Sequence, residues 1–121
     1  MDNLLPKLDR IVIPERKLTH YALNPEKNKD KAEAFARALG FDLTNWQDLV
    51  DAIKTNLQNY PAKLKSDEGF GNKYEVVMRI KGPNGKYANV LTAWIDDSYT
   101  GEMRMINAYV DRPKGGMSNV D

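Results

Sequence analysis

The sequence predicts an α+β domain: two N-terminal helices packed on an antiparallel three- to four-stranded meander sheet. Apolar residues recur at helical spacing between Lys29 and Leu57, and three strand-like segments between Lys73 and Val110 are separated by turn-rich stretches. The chain has 121 residues and no cysteine, which suits one core of ordinary size built without disulfides. A single domain over residues 1–110 is expected, with residues 111–121 as a flexible tail.

Residues Met1 to Lys17 hold one β-like run, Ile11-Val12-Ile13, which Pro14 closes by removing a backbone donor. They are read as a short strand or extended lead-in. A loop should follow Leu23, because Pro25 pushes Asn24 away from helical angles. From Asn28 or Lys29 to Leu39, Ala32, Phe35, Ala36 and Leu39 share one helical stripe, and Gly40 stands at the C-cap. Thr44 is the expected N-cap of a second helix, with Trp46, Leu49, Val50, Ile53 and Leu57 on one face before Pro61. Ser66 to Asn72 is polar and glycine-rich enough to be a loop between the halves.

The second half reads as strands Lys73–Lys81, Tyr87–Asp96 and Glu102–Val110, with turns at Gly82-Pro83-Asn84-Gly85 and Asp97-Ser98-Tyr99-Thr100-Gly101. Pairing Lys81 with Lys86 sets Val77 opposite Val90, Glu75 opposite Thr92 and Met78 opposite Asn89. Tyr74, Val76, Met78, Ile80, Tyr87, Leu91 and Ala93 then share the core-facing side; Glu75, Val77, Arg79, Val90, Thr92 and Trp94 share the other. Pattern alone leaves open whether Asn107 and Tyr109 or Ile106 and Ala108 lie beside Thr92. The tail from Asp111, with Pro113, Gly115 and Gly116, has little to bury and should be frayed.

Eighteen basic against seventeen acidic residues give no bulk charge to recommend nucleic acid or membrane, so any basic site must be local. Without cysteine and with the single His20, structural zinc is not expected; the cofactor expectation is none. The N-terminus has the composition of neither a signal peptide nor a membrane span, and cytoplasmic action is expected.

His20 is the one side chain that titrates near neutrality unaided, so it is the first acid–base candidate; a lone histidine in such a stretch is also an ordinary structural hydrogen-bonder. Arg16, Lys17, Lys27, Lys29 and Lys31 could rim a phosphate site, although a solvated helix face accounts for Lys27 and Lys29. Arg79 and Thr92 could hold a phosphate if they are neighbours on an exposed sheet face. Trp94 and Tyr109 could stack a base, while strand aromatics more commonly pack. Phe35 and Trp46 read as core. Asp96-Asp97 reads as turn chemistry, and no phosphate-loop motif is present.

Four pieces in fixed order carry a resemblance: Lys17-Leu18-Thr19-His20-Tyr21-Ala22-Leu23-Asn24; Lys31-Ala32 with Phe35 and Leu39-Gly40-Phe41; Gly82-Pro83-Asn84-Gly85; and Thr92-Ala93-Trp94 followed by Asn107-Ala108-Tyr109. Together they resemble an uncharacterised domain family found at the C-termini of bacterial polymorphic and contact-dependent inhibition toxins and in phage-associated proteins. Such domains are similar to the barnase, EndoU, colicin and RelE group of small ribonucleases, whose open sheet face holds RNA. The sequence departs from the pattern at Glu26-Lys27-Asn28-Lys29, where a histidine and a glycine are usual, and at Asn107, where a threonine is usual.

The resemblance implies metal-independent RNA cleavage by 2′-hydroxyl attack. Lys31, His20, Thr92 and Tyr109 would be catalytic, and Arg79, Trp94 and Asn107 would bind substrate. It favours Asn107 and Tyr109 beside Thr92. The implied partners are RNA, with tRNA among the candidates, and a cognate immunity protein or other protein partner, with no membrane and a monomeric state; delivery within a larger secreted toxin is also implied. The alternative expectation is a non-enzymatic phage or toxin-system interaction module using the same sheet face.

Overall fold

A computed structural model of the chain describes residues 3–67 and 71–111. Its α+β fold lays helices on one face of a five-stranded sheet of order β1-β5-β4-β3-β2. Strands β2 (Ala62–Asp67), β3 (Asn72–Lys81), β4 (Tyr87–Asp96) and β5 (Met103–Val110) form the antiparallel meander, and β1 (Ile11–Val12) joins β5 in parallel. The sheet is therefore mixed and one strand wider than expected. The extra strand is β2, whose last residues, Ser66 and Asp67, the sequence pattern assigns to a loop. Its Lys63 and Lys65 mark it as an edge, where charge protects unpaired backbone and masks the apolar pattern.

The helices follow from their sequence periods. A single turn, α1 (Glu15–Lys17), runs into a π-helical turn, Leu18–Ala22, in which Leu23 N–H bonds Leu18 O at 2.9 Å. Leu18, Ala22 and Leu23 are buried there. Helix α2 (Lys29–Leu39) ends at Gly40 with φ 85°, the left-handed cap its glycine was expected to supply. Helix α3 (Trp46–Asn56) starts later than expected. Thr44 is not its N-cap: the Thr44 N–H and hydroxyl both bond Asp42 Oδ1, while Asn45 holds the cap position. The expected stripe is otherwise present, with Leu49, Ile53 and Leu57 buried and Trp46 and Val50 packed against them.

The β3–β4 register differs from the expected one by a single residue. Lys81 pairs with Tyr87, Met78 with Val90 and Val76 with Thr92. The Gly85 N–H bonds Gly82 O at 3.0 Å, Gly85 has φ 86°, and the Gly82 N–H bonds Lys86 O at 2.8 Å. A three-residue loop ending in a left-handed glycine thus replaces an even four-residue turn. Since side chains alternate, the slip turns all of β4 over. Val90, Thr92 and Trp94 face the core with Val76, Met78 and Ile80, and Tyr87, Asn89, Leu91 and Ala93 face outward with Val77 and Arg79. In β5 the residue opposite Thr92 is Ala108; Asn107 and Tyr109 pair with Ala93 and Leu91, correcting the expectation that they flank Thr92. Of the tail expected to fray, residues 112–121 lie outside those described, while the Asp111 N–H bonds Asn89 O at 2.8 Å.

Candidate functional site

Three of the seven proposed residues meet at one place. Past Arg104, β5 has no partner on the side away from β4 among the described residues, because β1 pairs only with Met103 and Arg104. Helix α2 packs beside this edge. From its first turns Lys31 extends to Asn107, its Nζ donating to Asn107 Oδ1 at 2.9 Å. The same ammonium lies 5.3 Å from the centroid of the Tyr109 ring, a cation–π distance. Asn107 Oδ1 also accepts the Ala108 N–H at 2.9 Å, so its amide is oriented by β5 itself.

Burial changes the chemistry of both ionisable groups. Partial desolvation holds the Lys31 ammonium below the ordinary lysine value. Tyr109 is pushed above the ordinary phenol value by burial first, then by the negative charges of Glu75 and Asp111. It is therefore a neutral phenol, able to donate a hydrogen bond, throughout the physiological range. Beside these groups opens a pocket of about 560 Å³ lined by Asp30, Lys31, Glu33, Ala34, Arg37, Tyr109 and Val110, which is ample for a nucleotide-sized ligand. Positions 30, 33, 34 and 37 recur at helical spacing on the face that also presents Lys31. That spacing is visible in the sequence, but acidic residues on a polar helix face give no reason to select them. Glu33 and Arg37 form an ion pair at 3.3 Å, and Asp30 adds a second carboxylate.

The remaining residues stand elsewhere. Thr92 and Trp94, expected at the substrate, are fully buried. The Trp94 Nε1–H donates to Thr92 Oγ1 at 2.8 Å, and that hydroxyl donates to Val76 O at 3.0 Å. The one-residue slip of β4 carries both inside, so neither can touch RNA; they form a satisfied polar link within the core. Arg79 is exposed but sits near the β3–β4 turn, its guanidinium carbon 4.9 Å from the Tyr87 ring centroid. His20 is exposed, its Nδ1 3.0 Å from Thr19 Oγ1, and it is not among the pocket's lining residues. Lys17 lies 5.8 Å from the Tyr21 ring centroid, and Lys27 and Lys29 are solvated. The Asp97 carboxylate accepts the N–H groups of Tyr99 and Thr100, as turn chemistry requires. Among the described residues no group of His, Asp and Glu has the geometry to hold a metal ion, and no helix is long and apolar enough to cross a membrane.

Comparison with known proteins adds one match. A family model described as "Domain of unknown function (DUF6883)" covers residues 4–112. No curated protein and no solved structure matches the chain.

Proposed function

The chain belongs to the DUF6883 family, a domain of unknown function, and from that premise we propose that it is a toxin-like, metal-independent ribonuclease domain acting at the pocket lined by Lys31 and Tyr109, with Asn107 holding Lys31. The observation that carries the reading is the convergence itself. A partly desolvated ammonium, fixed by an amide and an aromatic ring from a strand 76 positions away along the chain, opens onto a nucleotide-sized pocket. A charge held in place by fixed partners stabilises a phosphorane-like transition state better than a free lysine does.

In this scheme the Lys31 ammonium binds the non-bridging phosphate oxygens, Asn107 orients it, and the Tyr109 phenol donates a hydrogen bond to a phosphate oxygen. The 2′-hydroxyl proton passes to a carboxylate of the pocket, Asp30 or Glu33, rather than to His20. The 2′ oxygen then bonds phosphorus, the bond to the 5′ oxygen breaks, and the departing oxygen takes a proton from Lys31 or Tyr109. A 2′,3′-cyclic phosphate and a 5′-hydroxyl result. The site of action under this reading is the cytoplasm of a target cell.

The test is incubation of purified protein with total bacterial RNA in excess chelator. Fragments ending in 2′,3′-cyclic phosphate are expected, and Lys31→Ala should slow their appearance roughly a hundredfold or more, the usual effect of removing one preorganised charge. Intact RNA, or equal cleavage by the variant, overturns the reading. A second reading, a non-enzymatic interaction module of a phage or toxin system, is favoured by one feature: the uncovered sheet face presents Val77 and Tyr87 to solvent.

A further inference from the structure

The face of the sheet turned away from the helices gathers basic side chains. Lys63 on β2 pairs in register with Glu75 on β3, and Lys65 reaches the same carboxylate at 3.9 Å. Arg79 and Lys81 follow on β3, both against Tyr87 of β4 at 4.9 and 5.9 Å from its ring centroid. Lys63 and Lys65 thus stand beside Glu75 while Arg79 and Lys81 lie further along β3, four cations to one acid among these residues in a chain whose formal charge is only +1. On α2 and α3 the charges balance instead, Asp30, Glu33, Asp48 and Asp51 standing against Lys29, Lys31, Arg37 and Lys54. Between the cations lie Val77, 37% exposed, and Tyr87, 53% exposed, and among the described residues nothing covers them.

We propose that this outer face of β2, β3 and β4 is a docking surface for an acidic protein, with Val77 and Tyr87 as its apolar centre and Lys63, Lys65, Arg79 and Lys81 as its rim. Charge complementarity selects the partner's sign. The layout selects a protein over a nucleic acid. An aromatic and an aliphatic side chain at the centre, an arginine laid on the ring and a charged border make up the usual anatomy of a protein interface. Single-stranded RNA instead needs free rings on which to stack; Tyr87, the most exposed ring of this face, already carries Arg79 and Lys81, and Glu75 stands in the path of a phosphate chain. The inference does not depend on the ribonuclease reading, since Lys31 and the pocket contribute nothing to it.

A random peptide library displayed on phage and selected against the intact chain tests this directly. The binders should combine Asp or Glu with an aromatic or aliphatic residue. The double variant Arg79→Glu, Lys81→Glu should weaken them on the order of tenfold or more, whereas Lys54→Glu on α3 should leave them unchanged. Peptides with their acids changed to lysine should bind the double variant, a rescue that a damaged fold could not give. Selected peptides without acidic enrichment, or binding that survives the double variant, overturn the proposal. So does an oligouridylate that outcompetes every selected peptide, which would assign the face to nucleic acid.

Discussion

At the scale of single residues, two positions expected to act alike have opposite roles. Lys31 is charged where solvent is partly withdrawn, and the cost appears as a proton held less tightly than in an ordinary lysine. In the window between that lowered value and the ordinary one of 10.5, the unfolded chain retains the proton more often than the folded one. The stability contributed by this group therefore grows as pH rises through the window and is lost as pH falls back through the folded value. Direct NMR titration of the Lys31 side chain should place its midpoint below the ordinary lysine value. Asn107→Asp, which sets a carboxylate where Oδ1 now accepts Nζ at 2.9 Å, should raise it; an unchanged midpoint would mean that the contact does not form in solution. Thr92, by contrast, acts only through structure. Thr92→Val keeps its shape but leaves the buried Trp94 Nε1–H without an acceptor, so a loss of about 1–3 kcal/mol is expected in urea unfolding. The Lys31 midpoint should stay where it was.

At the scale of elements, the link between α2 and the β3–β4 turn fixes where Lys31 stands. The Asn84 N–H bonds Leu39 O at 3.2 Å, docking the end of α2 on the turn. A Cβ added at Gly82 would come within 2.0 Å of that same Leu39 oxygen, whereas one at Gly85 would meet nothing within 4 Å. Gly85→Ala should therefore cost only its left-handed conformation, about 1 kcal/mol. Gly82→Ala must part helix from turn and should cost about 3 kcal/mol. Equal unfolding midpoints for the two variants would show that the docking contact carries no weight. This turn also marks the limit of what the sequence could disclose. Both ends of α2 were legible, since a stripe of Ala32, Phe35 and Leu39 ending in glycine has one physical reading. The orientation of β4 was not: Val90, Thr92 and Trp94 on one side and Tyr87, Leu91 and Ala93 on the other are comparably apolar, and only the conformation of Gly85 decides between them. Strand β2 was hidden for a related reason, its lysines being those of a protected edge.

At the scale of the whole molecule, the site and the core depend on segments far apart along the chain. The order of motifs groups Lys31, Asn107 and Tyr109, but no local pattern could reveal that α2 packs beside β5, or that Asp30 and Glu33 would face the same space. The N-terminal residues likewise read as a lead-in because their apolar residues are few and interrupted by Pro6 and Pro14. In the fold they close the sheet: β1 covers the beginning of β5, Lys7 bonds Asp96 at 2.6 Å, the Ala62 N–H bonds Asn3 O at 2.7 Å, and Leu5 is only 2% exposed within the core. The exposed ion pair adds little by itself; the buried leucine stabilises the segment more. Leu5→Ala should cost about 2–5 kcal/mol, as other cavity-forming core truncations do, while Lys7→Ala should cost under about 1 kcal/mol. Comparable urea midpoints for the two variants would mean that the segment is only a surface strap. The expected gap makes it part of the single core on which the β5 edge, and with it the Lys31 pocket, is built.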